Sequence, residues 1–500
     1  MSPRITDETV AAERVDAAAW RRMHPVTPAI KAWKVFVAVL VVVGYQLLDQ
    51  LSELTKVDHL WLILLAALAL VALVGLAYSA LAWRATRFAV TDDAVHLHSG
   101  VVFRQERQAR LDRLQAVDVV QPLLARLVGL SELKLEVAGG SGSAVSLAFL
   151  KEADAELLRT ELLALAAGLQ RPKAPVPAAV EPTGEQVGEL PDLVPAAPQP
   201  AGRFEDAPEQ PVYELPMPRL LVATLRSGGM VGLAVLAVGA VTASVIARDV
   251  GAAFVLVPAL VGSAGFIWTR INQGASFRAA ISPDGIRLRH GLTESRAQTV
   301  PPGRVQAIRL SQGLWWRGPD WWRIEINVAG YGGGDEQARE TVLHPVATLD
   351  EVMAAVWLVL PDLGVADPRA TLDSALHGRD DDGGFTSSPR SARWVDPIGW
   401  RRNGVLVTER ALLTRSGRLL KELEIVPHER TQSLGLTQGP LQRRLGLASF
   451  VVHSTPGPVK PTVAHLDGKV AAALLDEQAA RARVARAADG PERWMTGPRA

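Results

Sequence analysis

The sequence predicts a membrane protein in which α-helical transmembrane hairpins alternate with mainly-β half barrels, each closed by a C-terminal helix. The first observation is a set of apolar segments long enough to cross a bilayer. The second is a polar pattern that occurs three times at long and unequal spacings, which indicates three separate domains and not a solenoid. The third is alternation of apolar and polar residues within each copy, typical of strands with one buried face.

Composition narrows the classes of function. The chain has 500 residues, enough for several domains, and a formal net charge of +1, so no overall field selects nucleic acid or an acidic partner. It has no cysteine, which excludes disulfides, thiolate metal sites and a cysteine nucleophile. A hydrophobic fraction of 48% together with 33 prolines indicates membrane spans joined to polar linkers.

Four apolar segments form two predicted hairpins. Leu60–Trp83 is free of charge and long enough to span, and the shorter Val35–Leu48 before it becomes plausible as the first arm of a hairpin. Ser227–Ala247 and Gly251–Trp268 form the second pair. Gly228 and Gly232 give a GxxxG pattern, read either as a helix-packing motif or as chance in a Gly-rich and Ala-rich span.

Basic residues flank both hairpins on one side of the membrane. The flanking residues are Arg21, Arg22, Lys31, Lys34, Arg84 and Arg87 for the first hairpin, and Arg219, Arg226, Arg270 and Arg278 for the second. Because basic residues favour the cytoplasmic side, we expect a multi-pass protein of the cell membrane with its termini and all three repeats in the cytoplasm. The N-terminal residues do not read as a cleaved signal peptide.

These patterns divide the chain into segments. Proline-rich and acidic stretches, including 171–216 and 361–397, read as extended or disordered linkers. The predicted order is an N-terminal cytoplasmic segment (1–34), hairpin one (35–83), domain one (84–168), a linker (169–217), hairpin two (218–269), domain two (270–362), a second linker (363–397), domain three (398–490) and a tail (491–500).

The repeated pattern places Arg and Gln at constant spacing in each domain. The positions are Arg113, Gln115, Gln121 and Arg126 in the first copy, Arg304, Gln306, Gln312 and Arg317 in the second, and Arg430, Gln432, Gln438 and Arg443 in the third. Thr91, Ser282 and Thr408 share one offset before the pattern, and Gly100, Gly291 and Gly417 share another. The match needs no gap over 91–137, 282–328 and 408–454.

Each copy reads as short strands followed by a helix. Leu133–Val137, Ile324–Val328 and Phe450–Ser454 are predicted strands at equivalent places. Gly129 and Gly446 are expected to end a short helix as left-handed caps. Amphipathic helices are predicted over Lys151–Leu165, Leu349–Leu360 and Ala471–Ala488.

The Arg-x-Gln and Gln-(Pro/Gly)-x-x-x-Arg pattern, with six or seven strands and one closing helix, resembles the bacterial pleckstrin-homology-like (PH-like) domain family of membrane proteins. The resemblance implies PH-like half barrels after two-helix hairpins, and a part in envelope stress or resistance to membrane-active peptides. Phosphoinositide binding does not carry over, because the first hairpins offer Asp92 and Asp93, Pro283 and Asp284, and Glu409 and Arg410 in place of a cationic cradle.

The repeated Arg and Gln residues have two interpretations. They could hold an oxyanion such as a lipid phosphate by charge-assisted hydrogen bonds, or a partner peptide. They could instead satisfy backbone groups at an irregular sheet corner. We favour the structural role, because residues shared by domains that differ elsewhere serve the fold that the domains share.

Four tryptophans in the second copy are candidate membrane contacts: Trp315, Trp316, Trp321 and Trp322. With Arg317 and Arg323 interleaved, they could anchor the domain at lipid headgroups. The alternative is a tryptophan-filled core edge with two rings buried and two at the rim. The sequence leaves both interpretations open.

The function predicted from these features is that of a non-catalytic scaffold. The cytoplasmic domains are expected to contact membrane lipids and to bind a protein partner or copies of the same chain, with no role for nucleic acid. No catalytic, cofactor or metal site is predicted, since no nucleophile elbow, phosphate loop or metal-ligand spacing occurs. The alternative is a component of a transporter or lipid-handling complex, which the scarcity of polar residues in the spans disfavours.

Overall fold

The computed structural model describes residues 20–22, 24, 27, 69, 73–77, 80–91, 93–100, 105–137, 145–166, 209–248, 256–282, 285–300, 303–329, 342–455 and 457–488. The chain divides into two compact units, one of residues 1–137 and 144–207 and the other of residues 138–143 and 208–500. Most of the predicted hairpin over 35–83 and the tail over 491–500 lie outside the described residues, as do the glycine-rich segments 138–143 and 330–336, which the sequence favours as hairpin turns.

The first unit contains the first half barrel. Strands β1 (Arg21–Arg22), β2 (Arg87–Val90), β3 (Ala94–Ser99) and β4 (Gln105–Arg110) pair in that order, and β5 (Leu114–Gln121), β6 (Leu130–Val137) and β7 (Val145–Lys151) form a second antiparallel set. Helix α1 (Leu123–Leu127) follows β5, and α2 (Glu152–Ala166) closes the domain. Leu158 and Leu162 of α2 are buried with Leu133 of β6, so the core lies between this helix and the sheets.

The second half barrel lies in the second unit, together with three helices that precede most of its strands. Its elements are β8 (Gln210–Glu214), α3 (Met217–Leu225), α4 (Gly228–Ala247), α5 (Leu256–Gly274), β9 (Arg278–Ser282), β10 (Gly285–His290), β11 (Ser295–Val300), β12 (Val305–Gln312), β13 (Trp322–Val328), β14 (Val342–Ala347) and α6 (Leu349–Val359). Strands β8 to β11 pair in sequence order, and β12 to β14 do the same.

The third half barrel follows in the same unit. Its elements are α7 (Pro368–His377), β15 (Thr386–Ser387), β16 (Gly404–Val407), β17 (Ala411–Ser416), β18 (Lys421–Pro427), β19 (Ser433–Thr437), α8 (Pro440–Arg444), β20 (Leu447–His453), β21 (Thr462–Asp467) and α9 (Gly468–Ala488). A core of Phe450, Val452, Val463 and Leu466 packs beneath α9.

Strands β12 and β18 join the second and third half barrels into one antiparallel seven-stranded sheet, in the order β14-β13-β12-β18-β17-β16-β15. Ile308 pairs with Ile425 and Leu310 with Leu423, and all four side chains are fully buried. The repeats predict separate domains, and they do not predict that two of the domains share one sheet.

The shared Thr or Ser position closes the same tight turn in every repeat. The hydroxyls of Thr91, Ser282 and Thr408 donate to the carbonyls of Ala94, Gly285 and Ala411 at 2.9, 3.3 and 3.0 Å. This is the local side-chain to backbone bond that Ser and Thr make in turns. The hydroxyl therefore fixes the first hairpin of each domain.

The backbone conformation explains why the three shared positions are glycine. Gly100, Gly291 and Gly417 have φ of 105°, 119° and 72°, a region that other residues rarely adopt. A Cβ at Gly291 would lie 1.8 Å from the carbonyl oxygen of Glu294. Gly129 and Gly446, with φ of 65° and 67°, are the left-handed helix caps that the sequence predicts.

The predicted linkers are partly folded. The expectation that residues 361–397 are extended or disordered is wrong, because this segment forms α7, β15 and two one-turn helices. The end of the first predicted linker, 169–217, also folds: β8 pairs with β9 as an edge strand of the second half barrel. The closing helices begin and end within a few residues of their predicted bounds.

Among the described helices, one is long and apolar enough to cross a membrane: α4, Gly228–Ala247. This coincides with the predicted span Ser227–Ala247. Helix α5 packs beside α4, with Gly229 facing Phe266. A Cβ at Gly228 or Gly232 would meet no atom within 4 Å, so the GxxxG pattern makes no close contact in this unit.

Candidate membrane-contact site

Helix α3 connects the second half barrel to the span α4. Its Leu220, Ala223 and Thr224 are buried against the domain, and Thr224 donates its hydroxyl to the Leu220 carbonyl at 2.8 Å. Leu225 is 63% exposed, at the end that leads into α4. Because α4 begins at Gly228, the exposed apolar face of α3 lies next to the residues that would enter a bilayer.

Trp316 ties this helix to the turn that follows β12. Residues Leu314–Trp316 form one turn of 3-10 helix, and the Trp316 indole is buried. Its Nε1–H donates to the Ala223 carbonyl at 2.9 Å. The turn is therefore held only a few residues from the start of α4.

The four candidate tryptophans divide between core and surface. Trp322 is fully buried and donates Nε1–H to the Asp320 carboxylate at 3.0 Å. Trp316 and Trp322 thus belong to the core, as in the alternative of two buried and two rim rings, and they are no longer candidate membrane contacts. Trp315 is 51% exposed beside the exposed Leu314, and Trp321 is half-buried. Trp315 stays a candidate membrane contact, because its neighbour Trp316 places it next to α3.

Arg270 adds a positive charge at the end of α5. Its guanidinium lies 5.3 Å from the Trp316 ring centroid and 5.9 Å from that of Phe266, within cation–π range. Burial, reinforced by the neighbouring Arg323 charge, lowers the pKa of Arg270 to about 10, so it stays protonated at neutral pH. Arg270 thus places a partly buried positive charge where α5 meets the half barrel.

A small cavity of about 20 Å³ lies beside Arg270, lined among others by Leu220, His290 and Arg323. It has room for about one water molecule and not for a phosphate. Burial lowers the pKa of His290 to about 4, so the imidazole is neutral at physiological pH. Its ring stacks on Phe277 at 5.5 Å. The cavity is therefore a packing feature, and an anion would have to bind outside it.

Arg219 at the start of α3 fastens this helix to the closing helix of the domain. Its guanidinium contacts the Glu351 carboxylate at 2.5 Å, and Glu351 also accepts the Thr348 amide at 2.7 Å as part of a capping box on α6. His344 lies 3.6 Å from Glu351 and packs against Tyr213, 4.6 Å between ring centroids. Helix α3, which leads into α4, and the half barrel are thereby joined through half-buried polar contacts.

The interleaved arginines contribute less charge to this face than the sequence suggests. Arg317 donates to the carbonyls of Arg418 and Leu419, the latter at 3.1 Å. Arg323 pairs with Glu325 at 2.9 Å. Both guanidinium groups are thus engaged within the protein, and Arg270 is the better candidate for lipid contact.

The repeated Arg and Gln residues lie in or next to the strand that begins the second half of each barrel, and in the short helix or turn that follows it. Arg113 and Arg430 end one-turn 3-10 helices, and Arg304 directly precedes β12. Arg126 and Arg443 lie exposed in α1 and α8, and Arg317 follows the turn of Trp316. Gln306 is buried, Gln432 is exposed, and the side chains of Arg113 and Gln115 lie outside what the structure describes.

In every copy, the side chain of the second Gln of the pattern donates a hydrogen bond near the end of its strand. The Nε2 of Gln121 donates to Glu152 at 3.4 Å, that of Gln312 to Asp320 at 2.7 Å, and that of Gln438 to the Leu447 carbonyl at 2.9 Å. Gln121 and Gln312 are buried. These contacts support a structural role, and no shared pocket gathers the pattern's residues into one binding site in the described parts.

Sequence analysis missed two buried arginines that order the segment before the third half barrel. Arg402 donates to the carbonyls of Ala375 and Gly378 at 3.1 and 2.9 Å. Arg415, fully buried, donates to the Ser374 carbonyl at 3.2 Å and stacks 4.2 Å from Phe385. Both cap the C-terminus of α7, where unpaired carbonyls attract cations. The sequence carries no local signal for them, because the two arginines lie in and beside strands distant from the helix in sequence.

Comparison with protein families gives one match, repeated along the chain. Residues 37–166, 230–357 and 391–482 each match the family described as Bacterial PH domain. Together these matches cover more than half of the 500 residues. No curated protein and no solved structure matches the chain. The matches agree with the three repeats identified from the sequence.

Proposed function

The chain belongs to the Bacterial PH domain family, and we propose that it is a non-catalytic membrane protein whose half barrels are interaction modules held at the cytoplasmic face. The observation that carries this proposal is the buried connection from α4 through α3 to the second half barrel. The Trp316–Ala223 hydrogen bond and the Arg219–Glu351 pair make that connection rigid. A domain fixed to a span in this way presents one constant face to the bilayer.

Lipid contact is proposed for the exposed residues of that face. Leu225, Leu314 and Trp315 are exposed apolar side chains, and Arg270 supplies a cation beside them. Tryptophan and basic residues at the ends of a span suit the interface between hydrocarbon and headgroups. Each cation near an anionic leaflet contributes about 1 kcal/mol, a contribution that salt weakens.

The other features of the proposal rest on the sequence and on family membership. The basic flanks of the hairpins support a multi-pass topology with cytoplasmic domains. Absence of catalytic motifs from the sequence supports a non-enzymatic role. Envelope stress, or resistance to membrane-active peptides, is the physiological setting that the family resemblance favours.

The membrane face is tested by fluorescence quenching in the reconstituted full chain. Since the chain has no cysteine, Trp315→Cys can be labelled with bimane alone. We expect nitroxide-bearing lipids to quench this label and to leave a label at Asp476→Cys, exposed on α9 of the third domain, unquenched. Equal quenching at both sites, or none at 315, would contradict the proposed membrane face.

A further inference from the structure

Strand β12 shows how an outer edge of a half barrel is covered in this protein. Its neighbour on one side is β13 of the same domain, and on the other side β18 of the next. Opposite Ile308 and Leu310, β18 presents Ile425 and Leu423, two apolar residues at alternate positions. Because these pairs are buried, the apolar core continues from the second half barrel into the third across the β12–β18 pairing.

Strand β19 is the equivalent of β12 in the third repeat, and its outer edge has no such neighbour. By the offset of Arg304 from Arg430, Leu434 and Leu436 take the places of Ile308 and Leu310. In the part of the chain that the structure describes, β19 pairs with β20 alone. Leu436 is 40% exposed, where Leu310 is fully buried.

The edge of β19 lacks the devices that block strand pairing. Its residues, Ser433–Thr437, read SLGLT and include no charge and no proline. Exposed strand edges usually carry lysine, glutamate, proline or a bulge when they are to remain solitary. An uncharged edge with an exposed leucine is therefore a surface for strand addition.

Two strands of a second copy, β4 and β19, are compared as neighbours for the edge of β19, and the apolar pattern favours β19. Strand β4 is the repeat equivalent of β18, but it would place Gln108 and Glu106 where β18 has Ile425 and Leu423. Burying a carboxylate against Leu436 is unfavourable. A second β19 instead supplies leucine at both positions, since SLGLT reads almost the same in either direction.

We propose that β19 pairs antiparallel with β19 of a second copy across a two-fold axis at Gly435. Leu434 then faces Leu436 of the second copy, and Ser433 faces Thr437. The contact is isologous, the arrangement most common in soluble homo-oligomers. It rests on the proposed function only in treating the third half barrel as an interaction module, and it names the partner as this same chain.

The test uses single cysteines in the full chain, which has none of its own. Gly435→Cys places two sulfurs on the axis, where directly paired Cα atoms lie about 4.5–5.5 Å apart, within the range of a disulfide. A Cβ at Gly435 would meet His453 Nε2 at 3.6 Å, an ordinary contact, and the residue has no positive φ. Oxidation is expected to shift the monomer band to a dimer on a non-reducing gel.

Cysteine variants at Ser433 and Thr437, on the same face of β19 as Gly435, test the register of the proposed strand pair. Ser433→Cys alone should give only the monomer band on the non-reducing gel, because its two sulfurs lie about 13 Å apart along the strands, too far for a disulfide. A mixture of differently tagged Ser433→Cys and Thr437→Cys chains should form the mixed disulfide. Leu436→Glu in the Gly435→Cys background should abolish the dimer, while its melting temperature shows that the domain is folded.

Two results would overturn the pairing. One is a folded Gly435→Cys chain that forms no dimer, as expected if β4 or another segment covers the edge. The other is cross-linking of Ser433→Cys alone as efficient as that of Gly435→Cys. If either result were found while nitroxide-bearing lipids still quenched the label at residue 315, the dimer proposal would be rejected and the proposed membrane function would be retained.

Discussion

At the scale of residues, the buried polar side chains hold together elements that the chain order keeps apart. Fully buried Asn327 of the second domain donates to the Val459 carbonyl at 2.7 Å and accepts the Val459 amide at 2.9 Å. Arg309 bonds the Glu424 carboxylate at 3.3 Å across the β12–β18 joint. Burial raises the pKa of Glu424, and the Arg309 charge opposes that rise. Such groups are costly unless paired, so they favour this one arrangement of domains.

His344 makes the stability of the second domain depend on pH. Its Nδ1 accepts the Val346 amide at 3.2 Å, and burial lowers its pKa from 6.5 to about 4 against the raising effect of Glu351. Below pH 6.5 the unfolded chain therefore binds a proton that the folded chain does not.

We expect the contribution of this group to the free energy of unfolding to be fully present above pH 6.5 and to be lost, by about 3 kcal/mol, as the pH falls toward 4. Urea unfolding of the wild type and of His344→Gln across this interval measures the effect. The variant should lose part of the pH dependence, whatever its stability at pH 8. An identical slope in both proteins would contradict the assignment.

At the scale of elements, one strand position differs between repeats only in what covers it. Leu310 and Leu436 occupy equivalent places in β12 and β19. Leu310 lies beneath β18, and Leu436 lies at an edge that no described strand covers. Hydrophobic stabilisation follows the area removed from water, so the two leucines contribute differently to stability despite their equivalent positions.

Leu310→Ala is expected to lower the free energy of unfolding by about 2–5 kcal/mol, the usual cost of truncating a buried leucine. Leu436→Ala, its matched control, should cost less than about 1 kcal/mol in the monomer, since much of its side chain is already in water. Chemical denaturation in detergent at low protein concentration measures both. Equal losses would show that β12 is no better covered than β19.

At the scale of the whole molecule, function depends on which side of the membrane the domains occupy. Helix α4 ends at Ala247, directly before residues 248–250, which connect the two arms of the second hairpin, and Asp476 lies exposed on α9. In the proposed topology, the basic flanks of the second hairpin favour a connection outside the cell and half barrels inside it.

An impermeant maleimide is therefore expected to label Ala247→Cys in intact cells, and Asp476→Cys only after lysis. The absence of native cysteine removes background. Labelling of Asp476→Cys in intact cells would reverse the topology, and with it the cytoplasmic scaffold. Western blotting of the labelled chains provides the loading control.

The sequence by itself determined the features that local physics controls. The repeats, the Thr or Ser turns, the positive-φ glycines and the closing helices depend on residues within one or two turns of each other, so spacing reveals them. That α4 is a candidate span follows from its length and apolar composition alone.

The tertiary structure decided the contacts between distant segments. A strand edge offers the same backbone groups to any neighbour, so only packing of Ile308 and Leu310 against Ile425 and Leu423 selects β18 for β12. The segment 361–397 looks like a linker because its order comes from Arg402 and Arg415, which lie outside it in sequence. The four tryptophans look equivalent in the sequence. In the structure two of them lie in the core, because Ala223 and Asp320 accept hydrogen bonds from their indole N–H groups.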